Sequence, residues 1–151
     1  MPISEEDLRR ILTVEEPVYQ EIVAQLSEAD IPVLQRIARD EGTQAAAAAV
    51  YTASLMQADR AREIVVEAAE SPDPIQRAAA ASGMENLPEP MLLRAALSLL
   101  DREDAAVTKL VMRAVGTPTG AVERRLRELG EGAQTPELRE MVRERLGMDN
   151  N

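Results

Sequence analysis

The side chains that could do chemistry in this chain are carboxylates, guanidinium groups and a few hydroxyls, because the sequence contains no histidine and no cysteine. Those two absences remove the commonest general base, the thiol nucleophile and most zinc ligands. Two carboxylates can act as acid and base, but the chain holds 27 Asp and Glu residues, so no single pair stands out. We therefore predict a protein that is not an enzyme, with no catalytic residue, no cofactor and no metal site.

The remaining motifs for chemistry are weak or missing. Asp101, Glu103 and Asp104 form a local acidic cluster, but the cluster lacks the glycine and the later Glu of a calcium-binding loop. We predict a solvated turn there that carries a helix cap. No phosphate-binding glycine loop or nucleophile elbow occurs, and Ser54 and Ser82 lie in predicted helices without a base nearby.

Signals for the start of a helix recur along the chain, separated by short turns. Ser4 precedes an acidic first turn, which is typical of a helix N-terminus. Asp73 with Pro74 forms a cap followed by a first-turn proline, and Thr135 with Pro136 repeats this arrangement. Apolar residues follow helical spacing, and no segment shows a sustained alternation of period two. The sequence predicts an all-α fold with about ten helices of about 9–14 residues.

The apolar residues are nearly all Ala, Leu, Val, Ile and Met, since the chain has no Phe, no Trp and only two tyrosines. Such side chains suit closely spaced helices better than sheets. We interpret the run Ala45–Ala49 as a tightly packed inner helix and not as a low-complexity linker. Tyr19 is expected to pack near the N-terminus, and the methionines are expected to fill gaps in the core.

Four predicted helix starts fall on a regular lattice. Thr43, Pro74, Ala105 and Pro136 are equally spaced, because each position number exceeds the one before it by 31. One further helix is predicted between each successive pair, so the repeating unit is a hairpin of two helices. A fixed period of roughly 20–50 residues is the signature of a repeat array. The sequence therefore predicts stacked helical hairpins.

One of these hairpins carries the segment SPDPIQRAAAASGMENLPEP, with Asp73, Pro74, Ile75 and Arg77. It resembles the HEAT repeats, in the short form found in phycobiliprotein-lyase-type proteins, which combine an Asp-Pro turn, a Val-Arg pair and an Ala-rich second helix. Weaker copies are REDAAVTKLVMRAV and TPELREMVRERL. The resemblance covers roughly residues 15–146. It implies a right-handed α-α superhelix, a HEAT/armadillo-like solenoid of about five helical hairpins.

The resemblance also implies a domain organisation. We expect a single HEAT-like repeat domain over residues 1–147, in which residues 1–14 form an N-terminal cap helix. Residues 148–151 are expected to be a frayed C-terminal tail.

In arrays of this family the second helix of each hairpin lines the concave surface, and three such helices here are nearly free of acid. Residues 44–56 carry no charge, and residues 75–86 and 105–115 together carry three cations and one acid. Tyr and Arg are enriched where protein interfaces bind most strongly. The hypothesis is a concave strip that contacts a partner through six residues. These are Tyr51, Arg77, Lys109, Arg113, Arg139 and Arg143.

An alternative assigns the same residues to structure. Arg77 and the related arginines would then pair with acids on neighbouring turns and hold the repeats together. The ring of Tyr51 would fill the gap that the alanines leave.

Charge and the N-terminal sequence limit the class of partner and the compartment. The net charge of −10 creates a field that repels nucleic acid and anionic membranes. The N-terminus MPISEEDLRRIL is acidic and polar, which is not typical of a targeting peptide. No apolar run approaches the roughly 18 residues that cross a bilayer. We expect a cytoplasmic protein that binds neither membranes nor, across its whole surface, nucleic acid.

The function that follows is a non-catalytic protein–protein interaction module: an adaptor, scaffold or regulatory subunit. Its expected partner is another protein with an acidic or mixed-charge face. Two alternatives stay open. One is an accessory subunit of a bilin lyase-type enzyme, which the family resemblance implies, and the other is recognition of an anionic ligand or nucleic acid by the basic strip. The sequence does not determine the oligomeric state.

Overall fold

A computed structural model describes residues 2–148 of the chain. Over these residues the chain forms ten α-helices and two short 3₁₀ helices, with no strand, so the predicted all-α fold is confirmed. The helices are α1 (Glu5–Leu12), α2 (Tyr19–Ala24), α3 (Ile31–Ala38), α4 (Gln44–Ser54), α5 (Asp59–Ala69), α6 (Pro74–Gly83), α7 (Glu89–Leu100), α8 (Ala105–Val115), α9 (Gly120–Gly132) and α10 (Pro136–Leu146).

The predicted helix lengths are wrong at the N-terminal end, where α1, α2 and α3 have 8, 6 and 8 residues. The cause is a polar turn between α2 and α3. The carboxylate of Asp30 accepts hydrogen bonds from the amides of Ser27 (2.8 Å) and Ile3 (2.7 Å). The hydrogen bond from Ser27 lowers the pKa of this carboxyl, and the bond from Ile3 adds to the effect. Burial of the group acts in the opposite direction but is outweighed. The turn ties the N-terminus to the start of α3.

Side-chain caps set the starts of three of the longer helices, α4, α6 and α8. The hydroxyl of Thr43 accepts a hydrogen bond from the amide of Ala46 at 3.1 Å. Asp73 caps α6 and Asp104 caps α8 through their carboxylates, as the sequence predicts. Each cap satisfies an amide that the first helical turn leaves without a partner.

Helices α4, α6, α8 and α10 begin at positions 44, 74, 105 and 136. The position numbers of successive starts therefore differ by 30, 31 and 31, with one helix between each pair. The first position of the lattice, Thr43, is the cap of α4, and the helix begins at the next residue. Side-chain burial nevertheless follows a register of 31 throughout. Four positions in this register are 0% exposed: Ala49, Ala80, Val111 and Val142.

The helices contact one another in two rows. The odd row is α1, α3, α5, α7 and α9, and the even row is α2, α4, α6, α8 and α10. Within each row every helix contacts the next member, and between the rows most chain neighbours also pack together. The apolar core lies between the rows.

Small residues allow neighbouring helices of the even row to approach each other closely. A Cβ atom added at Gly83 in α6 would lie 2.8 Å from the Cβ of Ser54 in α4, which is closer than real Cβ contacts allow. The run Ala45–Ala49 lies within α4 and is nearly all buried. The alanine run is thus a packed helix, as the sequence predicts.

Polar contacts join successive hairpins at their turns. The carboxylate of Asp73 accepts a hydrogen bond from the amide of Gly42 at 2.9 Å. Glu103 accepts one from the amide of Gln134 at 3.0 Å. Both contacts link positions one repeat period apart along the chain. The acidic cluster at residues 101–104 therefore belongs to a turn and a helix cap.

The first and last described segments are packed. Helix α1 lies against α3 and α4. After α10, the amide of Met148 donates to the carbonyl of Arg143, and Gly147 is left-handed, which together form a Schellman motif. The sulfur of Met148 lies beside Gly130 in α9. The frayed tail over residues 148–151 stays a prediction, because residues 149–151, like Met1, lie outside the described residues.

None of the helices between residues 2 and 148 combines the length and the apolar character that crossing a bilayer requires.

Candidate interaction surface

The ion pairs between described residues lie on the odd row and the turns that end its helices. Two of them join different helices: Arg36 to Glu5 (3.4 Å) and Arg94 to Glu63 (3.1 Å). Two more join a helix to the turn after α3: Arg39 to Glu67 (2.8 Å) and Arg9 to Asp40 (3.1 Å). Their side chains are roughly half exposed, so each pair contributes about 0–1 kcal/mol at most. The surface of the odd row is thus charged, and many of its charges are paired.

The outward positions of the even row form a different surface. Three sets of four residues occupy equivalent positions on α4, α6, α8 and α10, with successive members of a set 31 residues apart. We call each set a file, and every residue in the three files is exposed or half-buried. We call this set the even-row face. Its residues are Gln44, Ala47, Tyr51, Ile75, Ala78, Ser82, Ala106, Lys109, Arg113, Glu137, Glu140 and Glu144.

The charge of the even-row face changes along the chain. The six positions on α4 and α6 carry no charge. Helix α8 contributes Lys109 and Arg113, and α10 contributes three glutamates in the same files. The face therefore has an uncharged half and a half with both signs of charge.

The six residues of the predicted strip fall into two groups. Tyr51, Lys109 and Arg113 lie on the even-row face. Arg77 does not, because it is only 8% exposed and its guanidinium donates to the carbonyl of Ser71 at 2.9 Å. A surface role for Arg77 does not fit this burial.

The two C-terminal arginines of the strip also serve the backbone. Arg139 lies two repeat periods after Arg77 and makes the equivalent contact, since it donates to the carbonyl of Ala133 at 2.9 Å as Arg77 donates to that of Ser71. Arg143 donates to the carbonyl of Gly130 at 3.2 Å. Arg77 and Arg139 thus lie where the structural alternative expects them, against a neighbouring turn, although they donate to carbonyls and not to the acids that it invoked.

A pocket of about 310 Å³ opens in the uncharged half of the face, between α4, α6 and the start of α2. We call it the tyrosine pocket. No charged side chain lines it. The lining residues are Leu12, Pro17, Tyr19, Gln44, Ala47, Ala48, Tyr51, Ala79 and Ser82.

The two tyrosines of the chain meet in this pocket. Their ring centroids are 4.8 Å apart and the ring planes meet at 65°, an edge-to-face arrangement. Burial, with a smaller contribution from Tyr51, raises the pKa of Tyr19. The sequence interpretation of Tyr19 as N-terminal packing missed this pairing, because nothing local to Tyr19 points to a residue on another helix.

Two exposed apolar side chains are near pocket-lining residues along the chain: Ile75 is one helical turn before Ala79, and Val18 lies between Pro17 and Tyr19. Ile75, on the even-row face, is 53% exposed, and Val18, which precedes Tyr19, is 51% exposed. Both are large hydrophobic residues that the fold leaves in contact with water. The uncharged half of the face thus offers a pocket with apolar surroundings.

A second, larger groove of about 640 Å³ lies between α8 and α10. Met112 and Met141 line it, together with Lys109, Arg113, Glu144 and Arg145. The guanidinium of Arg145 is held by the carbonyls of Met112 and Gly116. Lys109 and Arg113 make no ion pair with another residue between 2 and 148.

Two serine hydroxyls of α4 and α6 donate to the backbone of their own helices. Ser82 donates to the carbonyl of Ala78 in its own helix, and Ser54 donates to that of Tyr51. Within residues 2–148 no three carboxylates come together as ligands for a metal ion. What the surface offers is apolar contact and unneutralised charge.

No family model matches the chain, and no curated protein or solved structure is significantly similar to it.

Proposed function

We propose that this chain is a non-catalytic protein-interaction module of the HEAT-like repeat type. Its hairpins would stack into a right-handed superhelix with the even-row face on the concave side. Three observations support this architecture: the nearly constant spacing of the helix starts in the even row, contacts between next-but-one helices in both rows, and the burial register of 31. Each is expected of an array in which every hairpin leans on its neighbours.

The observation that carries the function is the uncharged half of the even-row face with its tyrosine pocket. Charged residues make up 29% of the chain, yet all six outward positions on α4 and α6 are uncharged. Exposed apolar surface beside a pocket is characteristic of sites where another molecule binds. A protein partner would place an apolar side chain between the alanines and Tyr51.

The charged half of the face then adds selectivity. Lys109 and Arg113 attract acids, while the glutamates of α10 attract cations, so a matching partner carries a mixed-charge surface. This pattern does not favour a nucleic acid, because Glu140 and Glu144 continue the files that Lys109 and Arg113 occupy. The proposed role is that of an adaptor, scaffold or regulatory subunit in the cytoplasm.

Two matched substitutions test the proposal. Ile75→Asp places a charge beside the tyrosine pocket, at an exposed position of the first turn of α6, where an acid is compatible with the helix. Leu97→Asp makes the same kind of change on α7 of the odd row, at a side chain that is 38% exposed. We expect a partner that copurifies stoichiometrically with the wild-type chain to be lost with Ile75→Asp and retained with Leu97→Asp.

Tyrosine fluorescence provides the second measurement. Both tyrosines line the pocket and the chain has no Trp or Phe, so a tryptophan-free peptide of the partner that fills the pocket should change the emission. Equal retention of the partner by both Asp variants, with unchanged emission on adding the peptide, would remove the basis for the proposal.

A further inference from the structure

The charged half of the even-row face carries two matched pairs of opposite charge. Lys109 and Arg113 lie one helical turn apart on α8, and Glu140 and Glu144 lie one turn apart on α10. All four side chains are exposed. The two pairs occupy equivalent positions in the register of 31, so the cationic pair and the anionic pair have the same spacing on neighbouring helices.

These charges do not neutralise one another within the chain. Helices α8 and α10 contact each other, but no ion pair joins the four residues, and the groove lined by Met112 and Met141 separates the two helices at the surface. The pattern therefore presents a cationic ridge and an anionic ridge with an apolar groove between them.

We propose that a second copy of this chain docks on this half of the face. A two-fold axis along the groove would place α8 of one copy over α10 of the other, with the two helices running in the same direction. Lys109 would then face Glu140 of the partner subunit, and Arg113 would face Glu144 of the partner subunit. Symmetry repeats both pairs on the other side of the axis, and Met141 packs near the centre.

A second copy fits this pattern better than an acidic peptide does. A two-fold interface requires each surface to be complementary to itself, with as many cations as anions at equal spacing. The ridges on α8 and α10 meet that requirement. An acidic peptide seated in the groove would meet Glu144 as well as Lys109 and Arg113, with Glu140 one helical turn away.

The net charge of −10 on each copy opposes association, so the dimer is weak. Added salt screens this repulsion and also the local ion pairs, so salt dependence alone does not test the proposal. The inference goes beyond partner binding at the tyrosine pocket, because the pocket lies on α4 and α6 and stays open in the dimer.

Charge complementation provides the test. The acidic double variant, Lys109→Glu with Arg113→Glu, makes both ridges negative, and the basic double variant, Glu140→Lys with Glu144→Lys, makes both positive. We expect the wild-type chain to dimerise as its concentration rises to about 1 mM, the weak end of specific association. Each double variant should stay monomeric, and an equimolar mixture of the two should form a heterodimer in sedimentation velocity.

An odd-row control separates local pairing from net charge. Arg36→Glu with Arg94→Glu changes the net charge by the same amount as the acidic double variant, at side chains that are also well exposed, and it should still dimerise. Circular dichroism would establish that each variant is folded, and the two double variants alter different helices. A wild-type chain that stays monomeric over the whole range, or a mixture that does not associate, would overturn the proposal.

Discussion

The odd and even rows share one repeat register but differ in how their outward side chains are used. On the odd row, arginines and glutamates of successive helices pair across the surface, as Arg94 and Glu63 do. On the even row, the outward positions of α4 and α6 are uncharged, and Lys109 and Arg113 on α8 have no ion-pair partner within residues 2–148. Most arginines of the odd row are therefore paired, although Arg60 on α5 and Arg124 on α9 have no ion pair within residues 2–148, while the even-row face has apolar area and charge that a partner could still neutralise.

This difference shows where binding free energy can come from. Covering a charge that is already paired yields little, since its partner must be displaced or desolvated. Covering exposed apolar area removes it from water, and meeting an unpaired charge adds a new contact. The even-row face thus has more to gain from association, although both rows contribute to the same core.

The largest expected effect concerns the close approach within the even row. Gly83→Ala should destabilise the fold by about 2–3 kcal/mol, because the new Cβ would lie 2.8 Å from that of Ser54. Gly132→Ala on α9 of the odd row is the control, since a Cβ there meets nothing within 4 Å. It should be neutral or stabilising by up to about 1 kcal/mol. Urea unfolding measures both, and equal effects would show that the even row is not tightly closed.

The next effect separates inward from outward cations on the even row. Arg77→Met removes the hydrogen bond to the Ser71 carbonyl in a buried setting and should cost about 2 kcal/mol. Lys109→Met is exposed and should change the free energy of unfolding by less than about 0.5 kcal/mol. Thermal unfolding of the two variants would decide the assignment, and similar losses would place both residues in structural roles.

A smaller and pH-dependent effect is expected at Asp30, which precedes α3 of the odd row. Its lowered pKa means that the ionised carboxylate stabilises the fold above its ordinary pKa of 3.8, and that this contribution is lost as the pH falls through the lower value of the folded chain. Asp30→Asn should cost about 1–2 kcal/mol at neutral pH. The difference from wild type should shrink as the pH falls below 3.8, and a constant difference would contradict the assignment.

The smallest effect is expected for an exposed ion pair of the odd row. A double-mutant cycle on Arg94 and Glu63, each changed to Ala, should give a coupling of no more than about 0.5–1 kcal/mol. The coupling free energy is obtained from the free energies of chemical unfolding of the four proteins in the cycle. A much larger coupling would mean that ion pairs on the odd row contribute substantially to the packing of one hairpin on the next.

Local signals predicted the elements well. Asp73 with Pro74 and Thr135 with Pro136 mark the starts of α6 and α10 to the residue, because capping depends on near neighbours in the sequence. The regular spacing of 31 combines two kinds of position, since Thr43 is a cap whereas Pro74 and Pro136 are first helical residues. The short N-terminal helices were not predicted, because the turn at Asp30 depends on a contact with Ile3.

The surface was harder to predict than the helices. The predicted strip combined Arg77 with Arg113. One repeat period before Arg113 is Ser82, which lies about five residues after Arg77 on the same helix, or about 140° around its axis. One file therefore faces the interior and the other faces solvent. The tyrosine pocket was missed for a different reason, since Tyr19 and Tyr51 meet only through tertiary packing of α2 against α4.

The central claim is that the even row, and not the odd row, carries the binding surface. Its most direct test is a titration of the isotope-labelled chain with the copurified partner, followed by amide chemical shifts. The account predicts that the perturbed amides cluster on α4 and α6, around Ala47, Tyr51 and Ser82, while those of Glu63, Glu67 and Arg94 stay unchanged. Perturbations concentrated on α5 and α7 would contradict it.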